Sequence, residues 1–97
     1  MGKVEWTRTA KKDFEKAIKY IAKRNPLNAI KVKDNILFHV FLLLENPTKN
    51  IPDNLRIEND GSFRFFCLYE YRISYKIKGE DILIVRFRHM KQKEKPF

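Results

Sequence analysis

Residues 71–89 read YRISYKIKGEDILIVRFRH. Tyr71, Ile73, Tyr75 and Ile77 alternate with Arg72, Ser74, Lys76 and Lys78, and a period of two belongs to a strand with one face against a core. Gly79-Glu80-Asp81 supplies a turn, and Ile82 to His89 returns as a second strand, so the stretch reads as an antiparallel hairpin. Pairing Tyr75 with Val85 sets Ile73 opposite Phe87 and Ile77 opposite Leu83, an apolar set. The same register sets Arg72 across from Arg88 and Ser74 across from Arg86. Phe63 to Glu70 reads as a preceding strand. Pairing Cys67 with Ile73 and Phe65 with Tyr75 on the core side leaves Arg64 on the face of Arg72. Arg64, Arg72, Arg86 and Arg88 are thus expected to converge on one side of the sheet. Like charges directly opposite destabilise a sheet, so the arrangement points to an anion; the alternative is that these arginines splay into solvent or pair with Glu58, Asp60 and Glu70.

Upstream of the hairpin the period changes. Val4 to Trp6 is a short strand candidate, and Thr7 stands where a helix N-cap belongs. Ala10, Phe14, Ala17, Ile18 and Ile21 form one apolar stripe, with Lys11, Lys12, Glu15, Lys16, Lys19 and Lys23 on the other faces. Asn25-Pro26 ends this helix near Arg24 and starts another, because proline disfavours a helical residue before it but suits a first helical position. The second stripe is read through Ala29, Ile36, Leu37, Val40, Phe41 and Leu44, stopping near Asn46-Pro47. Residues 47–62 hold Pro47, Asn50, Pro52, Asp53, Asn54 and Asp60-Gly61, the chemistry of an irregular connection. The class is α+β: a short N-terminal strand, a two-helix antiparallel hairpin on one face of an antiparallel sheet, and three C-terminal strands completing that sheet.

One domain, residues 1–97, accounts for the chain, and a large multi-domain enzyme is excluded. A lone cysteine, Cys67, cannot form an intrachain disulfide, and with only 2 histidines beside it a structural zinc site is poorly served. No cofactor is expected. The longest apolar run, Ile36 to Leu44, is interrupted by His39 and falls short of the ~20 residues a bilayer span needs. A soluble, cytoplasmic protein without membrane association is the expectation. Lys plus Arg number 21 against 12 Asp plus Glu, a net +9. The excess sits at the ends: residues 1–24 carry +5 and residues 86–97 carry +4, so a polyanionic partner is expected.

The element order, with Trp6-Thr7, Asp13 to Ile21, Asn25-Pro26 and Ala29, Asn59-Asp60-Gly61, Tyr71 to Tyr75 and Arg86 to His89, resembles the RelE/ParE superfamily of toxins from type II toxin-antitoxin systems over essentially the whole chain. The resemblance implies a toxin held inactive by an acidic antitoxin. One branch of the superfamily cleaves mRNA on the ribosome without a metal; another poisons DNA gyrase. In the first, a 2′-hydroxyl attacks the adjacent phosphate while a base, an acid and cations assist. The resemblance then implies Arg72, Arg88 and His89 as catalytic candidates, His89 because its ordinary pKa suits proton transfer near neutrality. Arg64, Arg86, Lys91, Lys93 and Phe97 become candidates for holding phosphate and RNA. Phe97 stands roughly where nuclease members often end in tyrosine; it keeps a stacking surface but has no hydroxyl. By strand parity His89 falls on the apolar side with Phe87, unless a bulge intervenes. His39, Trp6 and Tyr20 read as structural residues. The expected function is a ribosome-dependent endoribonuclease toxin; the alternatives are a gyrase poison, whose pattern the Asn25-Pro26 hairpin matches more closely, and a non-toxic nucleic-acid-binding module.

Overall fold

A computed structural model describes residues 2–92 and 95–97. The chain runs β1 (Val4–Trp6), α1 (Arg8–Arg24), α2 (Pro26–Leu42), β2 (Phe63–Leu68), β3 (Tyr71–Lys78) and β4 (Asp81–His89). The strands form one sheet in the order β1-β4-β3-β2, with β1 parallel to β4 and the other neighbours antiparallel. The helical hairpin lies on one face. No helix among the described residues is long and apolar enough to cross a membrane.

The helix boundaries follow from local chemistry. Thr7 Oγ1 accepts from the Ala10 amide at 3.2 Å, closing the first turn of α1. Asn25 then serves both helices: its amide donates to Ile21 O at 2.9 Å, and its side-chain oxygen accepts from the Asn28 amide at 3.1 Å. Pro26 occupies the first position of α2, where no amide hydrogen is needed. The regular helix ends at Leu42, earlier than expected, because the amides of Leu43, Leu44 and Glu45 each bond three residues back at 3.1 Å and tighten the last turn.

The core lies between hairpin and sheet. Ala10 and Phe14 of α1, Val32, Ile36 and Val40 of α2, and Leu43 pack on Ile73, Tyr75, Ile82, Ile84 and Phe87. An aromatic chain crosses this interface: Trp6 on Phe14 (5.0 Å between ring centroids), Phe14 on Phe87 (5.3 Å), Phe87 on Tyr71 (4.9 Å) and Tyr71 on His89 (5.2 Å). The stripe of α2 differs from the sequence reading. Val32 and Leu43 are buried, whereas Leu37 and Phe41, assigned to the core, face outward at 38% and 59% exposure.

Register departs from expectation at two places, each with a local cause. Ile73↔Phe87, Arg72↔Arg88 and Ser74↔Arg86 pair as expected. Between Ser74 and Tyr75 the ladder shifts, leaving Val85 as an extra residue, so Tyr75 faces Ile84 and Ile77 faces Ile82 instead of Val85 and Leu83. The buried residues of β4 are therefore Ile82, Ile84 and Phe87. In the β2–β3 hairpin, Leu68 pairs with Tyr71 across a two-residue turn whose Tyr69 and Glu70 both have positive φ, 52° and 65°. That is the backbone of a tight turn whose twist matches the strands. It moves β2 by one residue from the expected register: Cys67 faces Arg72, Phe65 faces Ser74 and Arg64 faces Tyr75. A slip of one exchanges the faces of every side chain.

Candidate functional site

The arginine face of β3 and β4 begins with Arg72 beside Arg88 and Ser74 beside Arg86. It is only partly open to solvent, because residues following Pro52 fold across it and bury Arg72 and Ser74 while Arg86 and Arg88 stay half-buried. Arg72 Nη2 donates to Asp53 Oδ1 at 2.7 Å and to Asn54 Oδ1 at 2.8 Å, while its guanidinium lies 3.6 Å from the centre of the Phe65 ring. Arg72 is 9% exposed and Asp53 1%. Asp53 Oδ1 also accepts from the Leu55 amide at 3.0 Å, fixing the turn that carries it. Arg72, a catalytic candidate by resemblance, is thus already paired with an internal anion, the Asp53 carboxylate.

The C-terminal residues complete the cover. The Phe97 amide donates to Leu55 O at 2.9 Å, and the Ile57 amide donates to Phe97 O at 2.7 Å. The Phe97 ring sits under Arg86, 4.6 Å from its guanidinium, and near Arg56 at 5.5 Å; Arg56 in turn lies 4.1 Å over Phe63. Arg86 Nη1 also donates to Lys95 O. Phe97 is therefore a packed ring between cations, half-buried rather than a free platform. Arg88 is half-buried on the same face.

Arg64 does not join this group. The tight Tyr69-Glu70 turn places it with Tyr75 and Phe66, where it donates to three carbonyls: Gly61 O at 3.2 Å, Thr48 O at 3.3 Å and Asn50 O at 2.7 Å. It clamps the connecting loop. The expected convergence of four arginines is corrected to three, Arg72, Arg86 and Arg88, beneath a loop and a tail that the sequence reading left off this face.

His89 lies on the other side of the sheet. The bulge at Val85 precedes Arg86, so parity from Phe87 carries His89 to the helix-covered face beside Tyr71. Its Nδ1 accepts from the Lys91 amide at 3.0 Å, which assigns the proton of the neutral ring to Nε2, 3.6 Å from Glu70 Oε2. Tyr20, Tyr71 and His89 are shared by two adjoining clefts of about 580 and 440 Å³ along α1. Burial, with a contribution from Glu70, pushes the Tyr71 hydroxyl pKa up, so this phenol stays protonated well into alkaline solution. Lys91 is exposed at the end of the same cleft. Lys93 lies outside the described residues.

Histidine and arginines are therefore held on opposite faces of one sheet. Asp53, Asn54, Arg56 and Phe65, which govern the arginine face, were not singled out by sequence as site residues. Asp53-Asn54 carried a turn signal, but nothing in its spacing pointed to Arg72, 19 residues away. His39 is exposed with Nδ1 at 2.8 Å from Asn35 O, and Trp6 packs on Phe14 as expected of a structural residue, whereas Tyr20, read as structural too, is 57% exposed.

The family described as ParE toxin of type II toxin-antitoxin system, parDE, matches residues 4–94 of this sequence. Among solved structures the chain is similar to one titled "Chromosomal ParDE TA system from P. aeruginosa", with a TM-score of 0.72 and 21% identity, covering 94% of this chain and 98% of that one. At that identity the likeness speaks for the fold. No curated protein matches the chain. The family match spans nearly every element that builds the sheet, hairpin and arginine face, and the chain belongs to the ParE toxins of type II toxin-antitoxin systems.

Proposed function

We propose that this toxin acts by binding rather than by cutting, as a poison of DNA gyrase. The observation that carries the reading is the separation of His89 from Arg72, Arg86 and Arg88 by the thickness of the sheet. Cleavage by 2′-hydroxyl attack needs a base, an acid and a cationic clamp around one phosphate, each within hydrogen-bond reach. Bringing His89 to the arginine face would require breaking the β3–β4 ladder. Arg72 is already engaged by Asp53, and Phe97 has no hydroxyl to move a proton. A binding toxin needs none of this. It needs a rigid, basic docking surface, and the half-buried Arg86 and Arg88 with neighbouring Arg56 provide guanidinium groups held by packing.

The test pairs two readouts on purified protein. With gyrase and plasmid DNA, the toxin is expected to inhibit supercoiling and accumulate enzyme-linked double-strand breaks, while mRNA on translating ribosomes keeps intact 5′ ends. His89→Ala should retain full toxicity, and Arg86→Glu should reduce it at least tenfold. Codon-phased cuts in ribosome-bound message, abolished by His89→Ala, with gyrase unaffected, would overturn the proposal and restore the endoribonuclease reading. The fold's other expected partner, an antitoxin, follows from the family itself.

A further inference from the structure

The two adjoining clefts beside α1, of about 580 and 440 Å³, hold side chains that docking through the arginine face leaves unused. Their volumes suit a small molecule or a single nucleotide. Tyr20, Tyr71 and His89 line both. The Tyr71 ring is fixed against Phe87 at 4.9 Å and His89 at 5.2 Å, and the residue is only 8% exposed, yet its hydroxyl makes no hydrogen bond to any described residue. A phenol so deeply packed ordinarily finds a partner. Burial keeps it protonated, so it stands ready as a donor.

His89 and Glu70 add a donor and an acceptor side by side. The Lys91 amide occupies His89 Nδ1 and leaves the ring hydrogen on Nε2, which lies 3.6 Å from Glu70 Oε2, too far for a hydrogen bond. Neither group is spent on the other. Glu70 is placed by its backbone, through the left-handed φ of 65° in the β2–β3 turn and the Met90 amide, which donates to Glu70 O at 2.7 Å. Its side chain is 69% exposed and open to a ligand. Tyr20, with the Arg24 guanidinium 5.1 Å over its ring, supplies an aromatic wall.

Charge selects less here than hydrogen bonding does. Lys16, Arg24 and Lys91 line the clefts together with Asp13 and Glu70, so the cations are nearly balanced and a polyanion gains little. The donor and acceptor pattern is more selective. Two neutral donors, the Tyr71 hydroxyl and His89 Nε2–H, adjoin a carboxylate with two accepting oxygens. Guanine carries adjacent acceptors, N7 and O6, followed by adjacent donors, N1–H and the N2 amino group; no other common base has two neighbouring donors on one edge. We propose that these clefts bind a guanine base, with Glu70 accepting from N1–H and the N2 amino group, Tyr71 and His89 donating to N7 and O6, and Tyr20 as the stacking ring. The exposed Lys16 and Lys91 stand at the rim for an attached phosphate. The base arrives on a free nucleotide or unpaired in a strand. The site lies across the sheet from Arg72, Arg86 and Arg88, and the inference is independent of how the toxin kills.

The experiment is calorimetry on the purified toxin with GMP, AMP, and oligothymidylate strands with or without one guanine. A guanine ligand is expected to bind about tenfold or more tightly than its guanine-free counterpart, because only guanine satisfies both carboxylate oxygens. Glu70→Gln, a change at an exposed side chain, should erase that preference, since an amide offers one acceptor and opposes one donor with another. Tyr71→Phe, which keeps the ring in the core, should weaken guanine binding about fivefold or more. Saturable binding of GMP makes a free nucleotide the source; binding confined to the guanine-containing strand makes an unpaired base the source, and either supports the site. Equal affinity for GMP and AMP together with equal affinity for the two strands would overturn it, as would absence of binding to all four. A preference that survives Glu70→Gln, or displacement of GMP by equimolar inorganic phosphate, would overturn it too. None of these results alters the outcome of the gyrase assay.

Discussion

The two faces of β3 are buried equally and by opposite means. Toward the helices, Ile73 and Tyr75 are fully enclosed by apolar side chains; toward the loop, Ser74 is 1% and Arg72 9% exposed beneath Asp53, Phe65, Arg86 and the C-terminal residues. The first kind of burial needs only shape and area. The second needs a partner for each polar group, and those partners come from residues distant in sequence. A sheet face carrying charge is therefore not by itself an open face.

The contrast can be broken by substitution. Ile73→Ala, which empties part of the core between α2 and the sheet, should cost about 4 kcal/mol in urea denaturation. Asp53→Ala should cost about 3 kcal/mol, because it removes the carboxylate that balances the charge of the nearly buried Arg72. If that loss is below ~1 kcal/mol, the loop does not close the arginine face. Replacing both partners, Asp53→Leu with Arg72→Met, should cost less than Asp53→Ala alone. Phe97→Ala removes the ring between Arg56 and Arg86 and should cost about 1 kcal/mol, with faster hydrogen exchange at the Ile57 amide as the local readout.

Smaller effects sharpen the same comparison. Ser74 Oγ is buried without a hydrogen-bond partner among the described residues. Ser74→Ala should therefore be neutral or stabilise by up to about 1 kcal/mol; a clear loss would show that the hydroxyl is paired in solution. On the helix side, burial raises the pKa values of Tyr71 and Tyr75 above 10.0, partly offset at Tyr75 by the Asn50 hydrogen bond and Arg64. The folded state thus holds these protons more tightly than the unfolded one. Their contribution to stability is complete below pH 10 and is lost as pH rises through the raised values. Tyrosinate absorbance should show two late-titrating groups, one of which disappears in Tyr75→Phe.

Much of the architecture was legible in residue order. Thr7 and Asn25-Pro26 set the helix starts because capping is a matter of a few adjacent atoms. The pairs Ile73↔Phe87 and Arg72↔Arg88 followed from alternation alone. The assignment of Leu37 and Phe41 to the core did not hold, because periodicity identifies apolar faces and cannot say which of two is turned inward. Arg64 was misplaced for a different reason: Tyr69 and Glu70 adopt left-handed backbone without the glycine or asparagine that usually announces it.

The candidate site shows the same division. Which residues are arginine, histidine or lysine, and which strands carry them, was determined by sequence. The sides of Arg72, Arg86, Arg88 and His89 followed from alternation, whereas the side of Arg64 was decided by one two-residue turn and the inward set Ile82 and Ile84 by one extra residue at Val85, since a strand's side-chain period of two converts a shift of one into a change of face. Whether Arg72 meets solvent or Asp53 depended on a loop 19 positions away, whose path has no periodicity to read and is held by contacts that exist only once the chain has folded.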